Sequence, residues 1–212
     1  MKFVLNILKA FLINFCFIGI IFANNSCPSI SPKMAKDTPS HQVEAIIDDV
    51  ICSFIDLHSE NNGTFSNTLN ITKKKILPFI DLEHATKLAL GDYWKQLETM
   101  DQKIFERDVK NSLINDYVVI LADMKNWEDI NITVNKDFTQ TDNTAKVNVR
   151  FSIGNKSTNA YVTLKLIRKE RWRIFDLVYQ SISILDIEKI GYDSKIKRQG
   201  LENLIQHILK RS

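Results

Sequence analysis

The sequence predicts an α+β domain in which helices come first, a four-stranded antiparallel sheet follows, and two more helices close the chain. Three observations carry this. Between residues 41 and 125 apolar side chains recur at three- and four-residue intervals, the period of an amphipathic helix. After Trp127 they alternate with polar residues, the period of a strand with one wet face. From residue 184 onward the helical period returns. Helical and strand blocks segregated along a chain argue for α+β rather than interleaved α/β.

The first helix is expected at 41–59, where Val43, Ile46, Ile47, Val50, Phe54 and Leu57 fall on one face. A second is expected at 65–76 and a third at 81–91. In the third, Asp81 stands at the N-cap position just after Pro78, and Gly91 stands where a left-handed stop belongs. Leu82, Ala85, Ala89 and Tyr93 form its apolar stripe. The longest helix is expected at 99–125, with Thr99 and Gln102 reading as a capping box. Its stripe is Phe105, Val109, Leu113, Tyr117, Ile120 and Met124. From Tyr117 to Ala122 it is apolar all round, which predicts a deeply buried second half.

Three strands follow from alternation at Ile130, Ile132 and Val134, at Val147, Val149, Phe151 and Ile153, and at Val162, Leu164 and Leu166. The fourth, Trp172 to Ile184, is apolar on both sides and is expected to be the most enclosed. Simple alternation puts Ile174, Val178 and Ile182 on one face and Phe175, Leu177 and Tyr179 on the other. Helices at 184–199 and 201–211 complete the chain.

Residues 1–23 read as a cleavable secretory signal: Lys2, an apolar run from Ala10 to Phe22 broken by Asn14, then the small Ala23. Lys9 interrupts the run too early for a membrane span of roughly 20 apolar residues. Asn-Asn-Ser-Cys27 lacks the apolar residues that precede a lipidated cysteine. The Pro/Ser/Asn-rich stretch 24–40 reads as a flexible leader and 41–212 as one domain with one core. Without its signal the chain loses two lysines and no acid, so the net charge falls from +3 to near +1. That is no footprint for nucleic acid. The clusters Lys73-Lys-Lys75, Arg168-Lys-Glu-Arg171 and Lys195-Ile-Lys-Arg198 read as solvated surface, with weak attraction to lipid headgroups or an acidic protein as the alternative. Five Asn-x-Ser/Thr sequons, at Asn24, Asn62, Asn70, Asn131 and Asn155, read as coincidence in an Asn-rich chain.

Cys16 leaves with the signal, so Cys27 and Cys52 remain. Cys52 lies about 180° from its helix's apolar stripe, where a lone thiol is a liability in an oxidising compartment. A Cys27–Cys52 bridge worth about 3 kcal/mol and a pair of free thiols stand as even alternatives.

No metal spacing links His41, His58, His84 or His207 to other ligands, and no nucleophile elbow, phosphate loop or dinucleotide fingerprint is present. Asp81, Glu83 and His84 read as a helix cap beside a surface histidine. Asp176 has two readings. As a structural acid inside the fourth strand it needs a partner, such as Arg150 or Arg173, because a buried unpaired carboxylate costs several kcal/mol. As a general base at the mouth of an apolar pocket it would make a small enzyme of the nuclear-transport-factor-like class. A module that binds no ligand and serves only as an interaction domain is a third possibility.

The stretch Phe79-Ile-Asp-Leu-Glu-His-Ala-Thr-Lys-Leu-Ala-Leu-Gly-Asp-Tyr-Trp94, with Gln102, Phe105 and Tyr117, resembles the MlaC family, the toluene-tolerance or phospholipid-binding family. A second block, Trp172-Arg-Ile-Phe-Asp-Leu-Val through Ile182-Ser-Ile and Gln199-Gly-Leu-Glu-Asn-Leu-Ile205, extends the resemblance. Two places depart from it. Ser181 stands where the family often has Gly, and Ile187-Glu-Lys189 with Ile190-Gly-Tyr192 replace an Asn-Tyr-Arg and Ser-Gln-Phe pattern.

The resemblance implies a cone-shaped, nuclear-transport-factor-like fold and a monomeric periplasmic phospholipid carrier without metal or cofactor. Its implied partners are an outer-membrane lipoprotein–porin complex and an inner-membrane ABC-type lipid transporter. A branch associated with hopanoids leaves a hopanoid-associated lipid as an alternative cargo. The implied lipid-binding wall takes Tyr93, Trp94, Phe105, Leu113 and Tyr117 from the helices. From the sheet it takes Val147, Val149, Val162, Leu164, Val178 and Ile182.

Overall fold

The first helix, α1 (Pro39–Ser59), begins where Thr38 Oγ1 accepts a hydrogen bond from the His41 backbone amide. Pro39 fits the first turn because its missing N–H would have no helical partner there. The helix thus starts two residues ahead of expectation. Residues 38–124, 127–153 and 159–211 are described in this computed structural model. The expected signal, most of the leader, Cys27 and Asn155 lie outside them, as do the side chains of Tyr117 and Ile120. Cys52 is disulfide-bonded. Among the described residues no helix is long and apolar enough to cross a membrane.

Helix α2 (Phe65–Ile71) is capped by Thr64, then widens into a π turn over Thr72–Ile76 and tightens over Leu77–Phe79. The expected single helix over 65–76 is therefore irregular in its second half. Pro78, with no N–H to give, accounts for the break that follows. Asp81 Oδ1 then accepts from the His84 amide at 3.0 Å and starts α3 (Leu82–Leu90). Gly91 ends it at φ +55°, a conformation that strains any residue with a Cβ.

Helix α4 (Thr99–Asp123) follows a tight turn over Gly91–Gln96. The anticipated capping box is absent. The N-cap is Glu98, whose carbonyl already accepts from the Gln102 amide at 3.0 Å, so Gln102 stands one position too far along to complete a box. Its side chain instead donates to the carbonyls of Trp94 and Leu97. Burial in the second half is also less complete than expected. Ile114 and Val118 are buried, while Leu121 and Ala122 are half-buried.

The sheet has strand order β1-β2-β3-β4-β5 and is antiparallel throughout. Its strands are β1 (Ile130–Gln140), β2 (Thr144–Ile153), β3 (Asn159–Arg168), β4 (Trp172–Tyr179) and β5 (Ile182–Ser183). The fifth strand corrects the expected four. The run from Trp172 to Ile184 is not one strand, because Gln180 and Ser181 adopt φ of +49° and +66° and reverse the chain. Two positive φ values between the paired residues Tyr179 and Ile182 give a primed two-residue hairpin.

A second correction concerns side-chain direction. The register passes from Lys165↔Asp176 to Leu166↔Ile174, so Phe175 is an extra, bulged residue. One extra residue reverses the alternation beyond it. Ile174 therefore shares a face with Leu177 and Tyr179, and Val178 lies on the opposite face.

Helices α5 (Ile184–Gln199) and α6 (Leu201–Arg211) close the chain at the expected bounds. Apolar packing falls into two clusters. One gathers α3, the Gly91–Gln96 turn, α4, α5 and α6 around Trp94, Phe105, Tyr192, Leu204 and Ile208. The other seats Val43 of α1 on Val134, Val147, Val149, Leu166 and Trp172 of the sheet. Gln42 bolts that second contact, since its amide nitrogen donates to the Trp172 carbonyl while its oxygen accepts from the Trp172 amide at 3.1 Å.

A left-handed conformation costs a residue with a Cβ about 1–2 kcal/mol, and glycine's extra unfolded-state entropy returns part of this. Ser181→Gly is expected to stabilise the protein by about 1 kcal/mol, raising the melting temperature by roughly 2–4 °C in differential scanning calorimetry. No rise, or a fall, would remove the left-handed conformation assigned to Ser181.

Candidate functional site

The sheet presents two chemically different faces, and the register defines both. On one, Val134, Val149, Val162, Tyr179 and Ile182 form a cross-strand row. Beside it run Phe138, Val147, Leu164 and Leu177, then Ala145, Leu166 and Ile174. Exposure climbs along the first row: Val149 is 1% exposed, Tyr179 43% and Ile182 56%. Val162, Leu164, Ile174 and Leu177 lie between these limits as half-buried side chains. The apolar face is therefore sealed near β2 and open toward β4 and β5.

The opposite face is polar. Lys146, Asn148, Thr163, Lys165, Val178 and Ser183 line an open groove of about 560 Å³ there, together with Asp186 from α5. Val178 was expected beside Val149 and Leu164, and its place in this polar groove follows from the Phe175 bulge. Phe138 and Val178 are the groove's apolar members, and a surface otherwise walled by lysines, carboxylates, amides and hydroxyls does not suit hydrocarbon.

The expected wall residues divide between the two apolar clusters. Tyr93, Trp94, Phe105 and Leu113 meet in the helical one, where Phe105 sits edge-on to Tyr192 with centroids 5.5 Å apart. Tyr93 also donates its hydroxyl to Asp193 Oδ1 at 3.3 Å. Val147, Val149 and Leu164 meet in the sheet cluster. Val162 shares their face, and Ile182 stands at its exposed margin. The two sets are not brought into one cluster. Ile174 and Leu177 belong to the same open face and were missed, since nothing in the composition of β4 marks Phe175 as a bulge.

Asp176 is fully engaged. Its Oδ2 accepts from Ser183 Oγ at 2.8 Å and lies 2.7 Å from Lys165 Nζ, and its Oδ1 accepts from the Leu185 amide at 3.1 Å. The arginines proposed from sequence are elsewhere: Arg150 donates to Thr133 and Arg173 to the Pro78 carbonyl. Lys165 is the cross-strand neighbour of Asp176, a relation fixed by register. Ser183 in turn caps α5 by accepting from the Asp186 amide at 3.0 Å. A carboxylate at a helix N-terminus gains from the helix dipole as well as from its lysine. With its side chain 0% exposed it faces no cavity, and this geometry is that of an anchor rather than a base.

His84 is half-buried and meets the Phe175 ring edge-on at 4.8 Å. Desolvation holds its pKa below the usual histidine value, partly countered by Asp81. Asp81 Oδ2 lies 3.2 Å from Lys169 Nζ, so the Asp81–His84 pair is a helix cap with a packed imidazole. Among the described residues no group of three His, Cys, Asp or Glu side chains could hold a metal ion.

A family model described as MlaC protein matches residues 44–210. The intermembrane phospholipid transport system binding protein MlaC of Haemophilus influenzae is 24% identical over 140 residues, which span 64% of each chain. The match thus spans just under two thirds of that curated relative. A phospholipid-binding protein from Ralstonia solanacearum, solved in complex with a phospholipid, superposes with a TM-score of 0.68 at 22% identity. The superposition covers 82% of this chain and 97% of that one, and it establishes a shared fold.

Asp176→Asn keeps the acceptor for one hydrogen bond but removes the charge facing Lys165. A loss of roughly 1–2 kcal/mol is expected, a melting temperature lower by several degrees in thermal unfolding. An unchanged melting temperature would show that the buried pair contributes nothing.

Proposed function

This chain belongs to the MlaC family, and we propose that it is a phospholipid-binding carrier that moves lipid between the outer-membrane and inner-membrane parts of an Mla-like ABC-type transport system. The family match over residues 44–210 carries this reading. The open apolar face of the sheet supports it physically. Each acyl methylene gains about 0.8 kcal/mol on leaving water, so two chains cannot cross an aqueous compartment bare. They need a protein wall of the kind that Val162, Leu164, Ile174 and Leu177 offer.

In this reading the cleaved signal delivers the chain to the periplasm, where it works as a monomer and needs no metal or nucleotide. Energy for direction comes from the ABC transporter, and an outer-membrane lipoprotein–porin complex is the other terminus. Acyl chains lie against the open part of the sheet rows, at Val162 and Leu164, with the buried Val147 and Val149 behind them and Ile182 at the margin. In this reading Tyr93, Trp94, Phe105, Leu113 and Tyr117 also contribute to the wall, although the described members of that set pack in the separate helical cluster.

Native mass spectrometry of the mildly purified secreted chain is expected to find about one phospholipid per protein; an empty protein would count decisively against a carrier. Leu164→Trp should lower the bound fraction about tenfold, equivalent to roughly 1.4 kcal/mol, while secretion stays normal. Val149 is only 1% exposed, and a bulky replacement there should damage folding and loading together. If Leu164→Trp does the same, Leu164 is ordinary core.

A further inference from the structure

Two arginines meet at one neutral atom where the irregular segment before α3 reaches the start of β4. Arg171 Nη2 and Arg173 Nη1 both donate to the Pro78 carbonyl oxygen, each at 3.2 Å. The Arg171 guanidinium also lies over the ring of the buried Phe79, 4.7 Å from its centroid. The segment that supplies carbonyl and ring is itself held, because Ile80 bridges to Ile174 and the Asp81 amide donates to the Ile174 carbonyl at 2.8 Å. Both guanidinium forks are therefore fixed in place, and both side chains are half-buried, so solvent still reaches them.

The protein around this pair does not balance its charge. A guanidinium has several N–H donors, and the one acceptor these two share is a carbonyl, which brings no counter-charge. Among the described residues neither arginine makes an ion pair. The neighbouring buried acids are taken elsewhere: Asp81 caps α3 and lies 3.2 Å from Lys169 Nζ, and Asp176 is held by Lys165. Glu170, exposed, is the one acid in residues 168–173, against four bases. Two like charges so close repel, and an anion bound to both removes that cost. The geometry also selects the anion. One fork satisfies both oxygens of a planar carboxylate, which leaves a second converging fork without an acceptor. A tetrahedral phosphate turns oxygens in several directions, accepts from both forks and carries one to about two negative charges.

We infer that Arg171 and Arg173, set side by side on the Pro78 carbonyl, form a binding site for a phosphate group. Free inorganic phosphate and the phosphodiester of a phospholipid headgroup present the same oxygens to it. Neither arginine belongs to the proposed acyl-chain wall, so the site stands whether or not the chain carries lipid.

The test is isothermal titration calorimetry of the secreted chain with sodium phosphate, with glycerophosphoethanolamine and with sodium acetate at equal ionic strength. At least one phosphate compound should bind at least tenfold more tightly than acetate. Arg171→Lys and Arg173→Lys keep the charge but lose the planar fork, and each should weaken that binding about tenfold. Lys95→Gln, at an exposed lysine of the Gly91–Gln96 turn, should leave it unchanged. A readout on the unmodified chain covers variants that fold poorly: phosphate should slow phenylglyoxal labelling of Arg171 and Arg173 but not of the exposed Arg198, followed by peptide mass spectrometry. Binding of inorganic phosphate alone upholds the site for the free ion, and binding of the diester upholds it for headgroups. No binding of either, unchanged binding in the folded arginine variants, or equal protection of Arg198 overturns the proposal. Acetate bound as tightly as phosphate overturns it in favour of an acidic peptide.

Discussion

One extra residue in β4 determines how the C-terminal half of the domain is put together. With Phe175 bulged, Trp172 and Ile174 turn toward the apolar face while Asp176 turns to the polar face beside Lys165. Without the bulge the same alternation would set Asp176 on the face of Trp172 and Ile174 and leave Lys165 unmatched. A bulge disrupts one ladder position locally. In return the carboxylate lands where three partners converge from β3, β5 and α5. The direction of α5 therefore follows from a bulge nine residues before the helix begins.

The polar contacts do what apolar packing cannot: they fix one arrangement among several of similar burial. Gln42 satisfies both backbone groups of Trp172 and so sets how α1 lies across the sheet. Arg171 and Arg173 both donate to the Pro78 carbonyl, and the Asp81 amide donates to the Ile174 carbonyl at 2.8 Å. The irregular segment before α3 is thereby tied to the start of β4. On the helical side, Asp108 receives both the Tyr192 hydroxyl and the Arg211 guanidinium, each at 3.0 Å, joining α4 to α5 and to the end of α6. Burial and the neighbouring carboxylates push the Tyr192 hydroxyl well above its ordinary pKa, so it stays a donor. A donor held neutral beside a carboxylate is a stable hydrogen bond across the whole physiological range.

Helix positions were legible in the sequence because local signals set them. Asp81, Gly91 and the apolar stripes act within a turn or two, and α5 and α6 begin and end where periodicity placed them. What was not legible depends on partners distant in the chain. The Phe175 bulge, the Lys165–Asp176 pair and the hairpin at Gln180 and Ser181 are properties of register, and alternation read along one strand carries no register. The faces of Val178 and Ile174 were misread for that reason alone. Gln102 failed as a cap for the opposite reason: the preceding turn offered its amide two carbonyls, which a reading of the helix by itself could not include.

Two separate clusters also bear on what the domain can do with an open face. Leaving half-buried valine and leucine side chains in contact with water forfeits about 25 cal/mol for each Å² not covered. A single core spanning helices and sheet would close that surface and leave no room for hydrocarbon. Here the helical cluster is complete within itself, centred on Phe105 and Leu204, and the sheet cluster is closed by Val43 on the β2 side. Neither cluster includes Val162 or Leu177 among its members. The cost of that open face falls on β3 and β4, the strands to which Gln42, Lys165 and the Pro78 contacts are fastened. Polar clamps on the margin and on the opposite face of the sheet hold these strands in place without covering the apolar face.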